Sequence, residues 1–154
     1  MIFKKSLRAI FLVVCSLCLM SFTVVIDAGH GGNDAGAIGL VKGVKEKDLN
    51  LNVAQRLATK IRQQCPEVKV VMTRDTDVFL PLQQRADIAN KNHADLFISI
   101  HTNAAENRNA QGAETFILGT DRMEDNLDVA MRENAVMKLE QDQTVYQVFD
   151  PNSI

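Results

Sequence analysis

Three residues of this 154-residue chain are of types that bind a transition metal and stand where they can converge: His30, Glu46 and His101. His30 lies in VVIDAGHGG, where an apolar run stops on Asp27 and an imidazole follows among glycines. His101 closes a second apolar run, ADLFISIH, and Glu46 belongs to the charged segment KEKD that opens a helical pattern. Catalytic zinc typically takes three protein ligands and leaves a fourth position for water. Two imidazoles and a carboxylate suit zinc better than magnesium or calcium, which prefer oxygen cages. Each residue also has a plainer explanation. His30 alone reads as a surface loop residue, Glu46 as a solvated charge favoured by the helix dipole, and His101 as a strand terminus. Their joint placement at one sheet edge singles them out.

The loop around His30 supports no phosphate cradle. Gly29 and Gly31 lack the third glycine of a dinucleotide fingerprint, because position 34 is Asp34. Gly31 and Gly36 have P-loop spacing, but Ala37 and Ile38 replace the lysine and hydroxyl residue. The glycines let the backbone fold closely around His30 and leave one side of it open. Asp27 is placed to hold a ligand imidazole from behind. Asp34, Asp48, Asp75 and Asp77 read as loop or cap residues, with Arg74 and Arg85 as their structural ion-pair partners. His93, at the far end of its strand, reads as an ordinary polar residue.

Alternating elements must position these groups. FTVVIDAG reads as a buried strand, and KDLNLNVAQRLATKIRQQ as a helix with Leu49, Val53, Leu57 and Ile61 on one face, ended by Pro66. VKVVMTR is a second strand, PLQQRADIANKN a helix with Pro81 near its first position, and ADLFISIH a third strand. GAETFILG reads as a fourth strand, DNLDVAMRENAVMKLEQ (residues 125–141) as a third helix, and VFDPNSI as a turn. The class is α/β: a mostly parallel sheet flanked by helices in a single domain. Ligands of such sheets sit outside the strands' carboxyl ends. That edge carries Asp27 to His30 and His101 to Asn103, with Asn103 as the substrate-binding candidate.

Composition narrows the function. A net charge of −2 gives no basic field for nucleic acid, and the absence of Trp argues against a base-stacking platform. MIFKKSLRAIFLVVCSLCLMSF has the charged start and apolar run of a secretory signal, expected to span residues 1–21. An uncleaved membrane anchor is the alternative; Val14 and Leu17 before Cys15 and Cys18 make poor lipoprotein signals. Residues 22–154 keep only Cys65, so no intrachain disulfide holds them. Export implies a periplasmic or cell-surface location.

Together these stretches resemble the zinc-dependent N-acetylmuramoyl-L-alanine amidases of bacterial cell-wall turnover. The similarity runs through VVIDAGHGGNDAGAIG, KEKDLNLNVAQRLATKI, VVMTRDTDVFLPLQQRADIAN, ADLFISIHTNA and GAETFILG, in that family's order, over nearly all of residues 22–120. The resemblance implies Zn2+ as cofactor, with His30, Glu46 and His101 as ligands and water in the fourth position. It implies hydrolysis of the amide between the lactyl group of N-acetylmuramic acid and L-alanine, with peptidoglycan as partner. Members of the family carry a further glutamate on a late strand, in a stretch like E-x-G-F-x-S-N, that acts as general base and then acid. None of Glu106, Glu114, Glu124, Glu133 or Glu140 has that context; Glu114 is the only internal substitute. The catalytic glutamate is therefore expected beyond Ile154, and residues 22–154 are expected to be an incomplete catalytic domain. Two rivals stay open: a remnant that binds zinc and peptidoglycan without cutting, and a carboxypeptidase-like zinc hydrolase. Some families of this kind insert a helix that occludes the zinc, which would call for an activator protein as partner. The third helix lies where such an insertion could be.

Overall fold

The computed structural model describes residues 21–104, 109–117 and 134–140. Strand β1 (Thr23–Ala28) is buried along its whole length. It lies between β2 (Lys69–Met72) and β3 (Leu96–Ile100), parallel to both, in the order β2-β1-β3. Both faces of β1 are covered, which is why its sequence runs apolar instead of alternating. Helix α1 (Glu46–Gln64) packs on the face of Val24, Ile26 and Ala28. Helix α2 (Leu82–Lys91) sends Arg85 to Asp27, which points the other way. The strand order turns back on itself between β1 and β3, so a crevice opens beyond their carboxyl ends.

The helix packing differs from the expected stripe. Leu49 and Val53 are 41% and 48% exposed, while Ala54 and Ala58 are fully buried against the sheet. Small side chains let the α1 backbone lie close to β1, and Leu51, Leu57 and Ile61 fill the flanks. Strand β2 ends at Met72, two residues before the expected limit. Thr73 and Arg74 instead turn their side chains inward, Thr73 Oγ1 donating to Asp27 Oδ1 at 2.6 Å.

The expected fourth strand is not formed within the described residues. Residues 112–117 have no regular structure and are all exposed, and positions 118 and 119 lie outside the described residues. A strand needs a ladder partner and a buried face, and this segment has neither here. Of the expected third helix, Asn134–Leu139 forms a short 3₁₀ helix, and residues 125–133 and 141 lie outside the described residues. So does most of the expected signal segment, residues 1–20. No helix among the described residues is long and apolar enough to cross a membrane.

Candidate metal centre

The chain leaves β1 at Ala28 and turns sharply. His30 takes a φ of 63°, in the left-handed region, and the loop closes through mutual backbone bonds between Gly31 and Asp34 at 3.0 Å. That closure brings Asp34 against the imidazole: Asp34 Oδ2 accepts from His30 Nδ1 at 2.8 Å, and Oδ1 accepts from Gly36 N at 3.1 Å. A carboxylate at Nδ1 places the ring proton there, so Nε2 carries the lone pair. Nε2 faces Glu46 Oε1 at 3.3 Å.

Glu46 is the first residue of α1. Its backbone N–H donates to Ala37 O at 2.9 Å, and its Oε2 accepts from Ala37 N at 2.9 Å. The other oxygen, Oε1, accepts from Thr102 N at 2.8 Å and from Asn50 Nδ2 at 3.3 Å. It also lies 3.3 Å from His101 Nδ1. The two imidazoles meet edge to face, their centroids 4.9 Å apart. Burial pushes the Glu46 carboxyl up, but hydrogen bonding from the His101 imidazole and from the N–H groups of Ala37 and Thr102 outweighs it and holds the group well below the ordinary carboxylate range. Glu46 is thus held as an anion.

Two glycines make room for this. A Cβ on Gly29 would sit 2.4 Å from His101 Nε2, and one on Gly36 would sit 2.7 Å from His30 Cδ2 and 2.8 Å from Glu46 Oε2. Gly36 also has a φ of 63°. The imidazole sits where the backbone is barest for a steric reason: both rings and the carboxylate pack directly on main chain.

The donor set fits zinc. Bonds of ~2.0–2.1 Å at tetrahedral angles place ligand atoms about 3.3 Å apart. Both His–Glu separations are 3.3 Å, and one ligand atom from each of the three residues lies within 4.8 Å of the others. Among the described residues these three are the group so arranged. A groove of about 380 Å³ opens beside them, with His30, Asp34, His101, Arg85, Phe97 and Ser99 in its wall.

The residues behind the ligands differ from those expected. Asp27 touches neither imidazole; it accepts from Thr73, from Arg85 Nη1 at 2.8 Å and from Ser99 Oγ at 2.9 Å. Asp34, read as a loop residue, holds His30 instead. Arg85 pairs with Asp27, and Arg74 donates to the carbonyls of Ala28, Gly29, Thr76 and Lys47. Burial, with Arg85 nearby, lowers the Arg74 guanidinium from its ordinary value. Asp77 is taken by Lys47 Nζ at 2.6 Å and Gly32 N at 2.8 Å, which lowers its carboxyl. Asn50, fully buried, escaped the sequence reading; its Nδ2 also reaches Gly29 O at 3.3 Å and its Oδ1 accepts from Thr102 Oγ1 at 2.8 Å. Its only sequence signal is a polar residue on the buried face of α1, one turn after Glu46. Asn103 is exposed two residues past His101, and Glu114 is exposed in the irregular segment.

Comparisons with known proteins agree with this fold. The sequence profile of the N-acetylmuramoyl-L-alanine amidase family matches residues 24–150. The N-acetylmuramoyl-L-alanine amidase AmiC of Escherichia coli is 45% identical over 97 residues, 63% of this chain and 23% of that protein. The catalytic domain of the amidase CwlV from Bacillus (Paenibacillus) polymyxa superposes with a TM-score of 0.55 at 40% identity, over 58% of this chain and 49% of that one. The amidase AmiC2 of Nostoc punctiforme gives 0.53 at 46% identity, over 57% and 47%. The matched part is thus about a quarter of the Escherichia coli relative and about half of each solved structure. With its β2-β1-β3 sheet, its His–Glu–His cluster and the profile match over most of its length, the chain belongs to the N-acetylmuramoyl-L-alanine amidase family.

Proposed function

We propose that this chain acts as an exported, zinc-dependent hydrolase of the amide between the lactyl group of N-acetylmuramic acid and the L-alanine of the peptidoglycan stem peptide. The observation that carries the reading is the convergence of His30 Nε2 and His101 Nδ1, each 3.3 Å from Glu46 Oε1, on the carboxyl edge of the sheet. These three atoms would hold the ion. Bound there, zinc supplies Lewis-acid polarisation of the amide carbonyl and a water whose pKa falls towards ~7. The chain's own residues prepare that site. Asp34 keeps the proton of His30 on Nδ1, so the ligating nitrogen is always the one facing Glu46. Ala37 N–H holds Glu46 Oε2 and Thr102 N–H holds Oε1, which fixes the carboxylate with Oε1 turned to both imidazoles. The groove beside His101 receives the substrate, and Asn103, exposed two residues further on, is the candidate to touch it. The N-terminal charged and apolar segment supports a periplasmic or cell-surface location.

Binding of zinc and of peptidoglycan without cleavage is the second reading. One observation favours it: among the described residues, Asp27 and Asp34 line the groove but no glutamate does. Loss of general acid–base help typically costs ~10²–10⁴ in rate. Incubating the purified chain with muropeptides, with and without chelator, separates the cases. Release of intact stem peptides that chelator abolishes supports the amidase. Retained zinc without products supports the binding reading, and release of single amino acids would sink both in favour of a carboxypeptidase.

A further inference from the structure

His30 is a residue with a Cβ in the left-handed region, a conformation that persists only where the surroundings hold it. The group that holds it comes from α2. Arg85, 5% exposed, donates Nη2 to His30 O at 2.9 Å, Nη1 to Ala28 O at 2.9 Å and to Asp27 Oδ1 at 2.8 Å, and Nε to Leu80 O at 3.0 Å. An ion pair with Asp27 needs one of these bonds. The other three tie main-chain carbonyls of two separate segments, and two of those carbonyls, Ala28 O and His30 O, belong to the segment that carries the first candidate metal donor.

We propose that Arg85 is a positioning residue of the metal centre: its planar fork fixes the left-handed backbone of His30 and so aims Nε2 at Glu46 Oε1. This rests on the zinc reading above. Only a guanidinium can do it from this place. Lysine keeps the charge beside Asp27 but presents a single point donor, which cannot bridge Ala28 O and His30 O while also reaching Leu80 O. Arg74 grips Ala28 O and Gly29 O, so the turn is held up to Gly29 without Arg85, and the His30 carbonyl is the one that Arg85 adds.

The test uses the full chain stripped of metal, with zinc affinity measured by competition and the ligand geometry read from the absorption bands of cobalt(II) substituted for zinc. Arg85→Lys should bind zinc on the order of tenfold more weakly, or worse, and shift the cobalt bands. The pair Asp27→Asn with Arg85→Gln removes both buried charges together, avoids an uncompensated ion, and should lose affinity in the same way. Ala58→Gly, which thins the core at the far end of α1, should lower the melting temperature and leave the cobalt bands in place. Wild-type affinity and bands in folded Arg85→Lys, or in the folded pair, would overturn the proposal. Wild-type protein that takes up no zinc would overturn the metal reading itself. In the wild-type chain, nitrogen-15 labelling of arginine should show slow Nη rotation at Arg85; averaged signals there would contradict the fork whatever the variants do.

Discussion

Asp34 carries the clearest consequence at the scale of single residues. A carboxylate 2.8 Å from His30 Nδ1, the ring nitrogen turned away from Glu46, fixes the ring's tautomer and its rotation. Asp34→Ala should weaken zinc binding by about 10–100-fold, measured by chelator competition, with the fold retained by circular dichroism. Gly29 is required for space and not for its φ, since a Cβ there would reach the His101 ring at 2.4 Å. Gly29→Ala should displace His101 and drop the zinc content well below one ion per chain by elemental analysis; full occupancy would contradict the packing. That His30, Glu46 and His101 come together was legible in the sequence. They are distinctive types, and the α/β pattern assigns them to one edge. Their supports were not legible. Asp34 reaches His30 only because the Gly31–Asp34 turn closes, and Asp27, which sequence placed behind a ligand, points across the sheet to Thr73, Ser99 and Arg85.

Among the elements, α1 does most to assemble the site, because its first turn carries Glu46 and its second presents Asn50. The Asn50 side chain joins α1 to the β1 loop through Gly29 O and to the segment after β3 through Thr102. Asn50→Ala strands those buried partners and should destabilise the chain by about 1–3 kcal/mol, read by urea unfolding. Faster hydrogen exchange at the Thr102 amide should accompany it. The existence and order of the elements through residue 101 followed from periodicity and turn residues. The face of α1 did not. Leucine and valine every fourth position suggested the stripe, yet sheet contact selects the side chains that let the backbone approach, here Ala54 and Ala58. GAETFILG failed as a strand over residues 112–117 for a related reason: β-propensity expresses fit to a half-buried surface, and the segment is exposed throughout.

For the molecule as a whole, acid sensitivity has a traceable sign. Asp77 is depressed by its bonds to Lys47 and Gly32 N, which tie the glycine loop to the segment after β2. A group with a folded pKa below its unfolded value of ~3.9 stabilises fully above that value, and the contribution is lost as pH falls through the depressed one. Asp77→Asn should therefore be less stable than wild type at neutral pH, and the two melting curves should converge in acid. A gap that widens in acid would contradict the assignment.

In the proposed centre two imidazole nitrogens and one carboxylate oxygen hold a single zinc. X-ray absorption at the zinc edge on the loaded chain tests it most directly. The expected first shell has nitrogen and oxygen at ~2.0–2.1 Å, with the multiple scattering of two imidazoles. A shell containing sulfur at ~2.3 Å, which would implicate cysteine, or one imidazole instead of two, would contradict it.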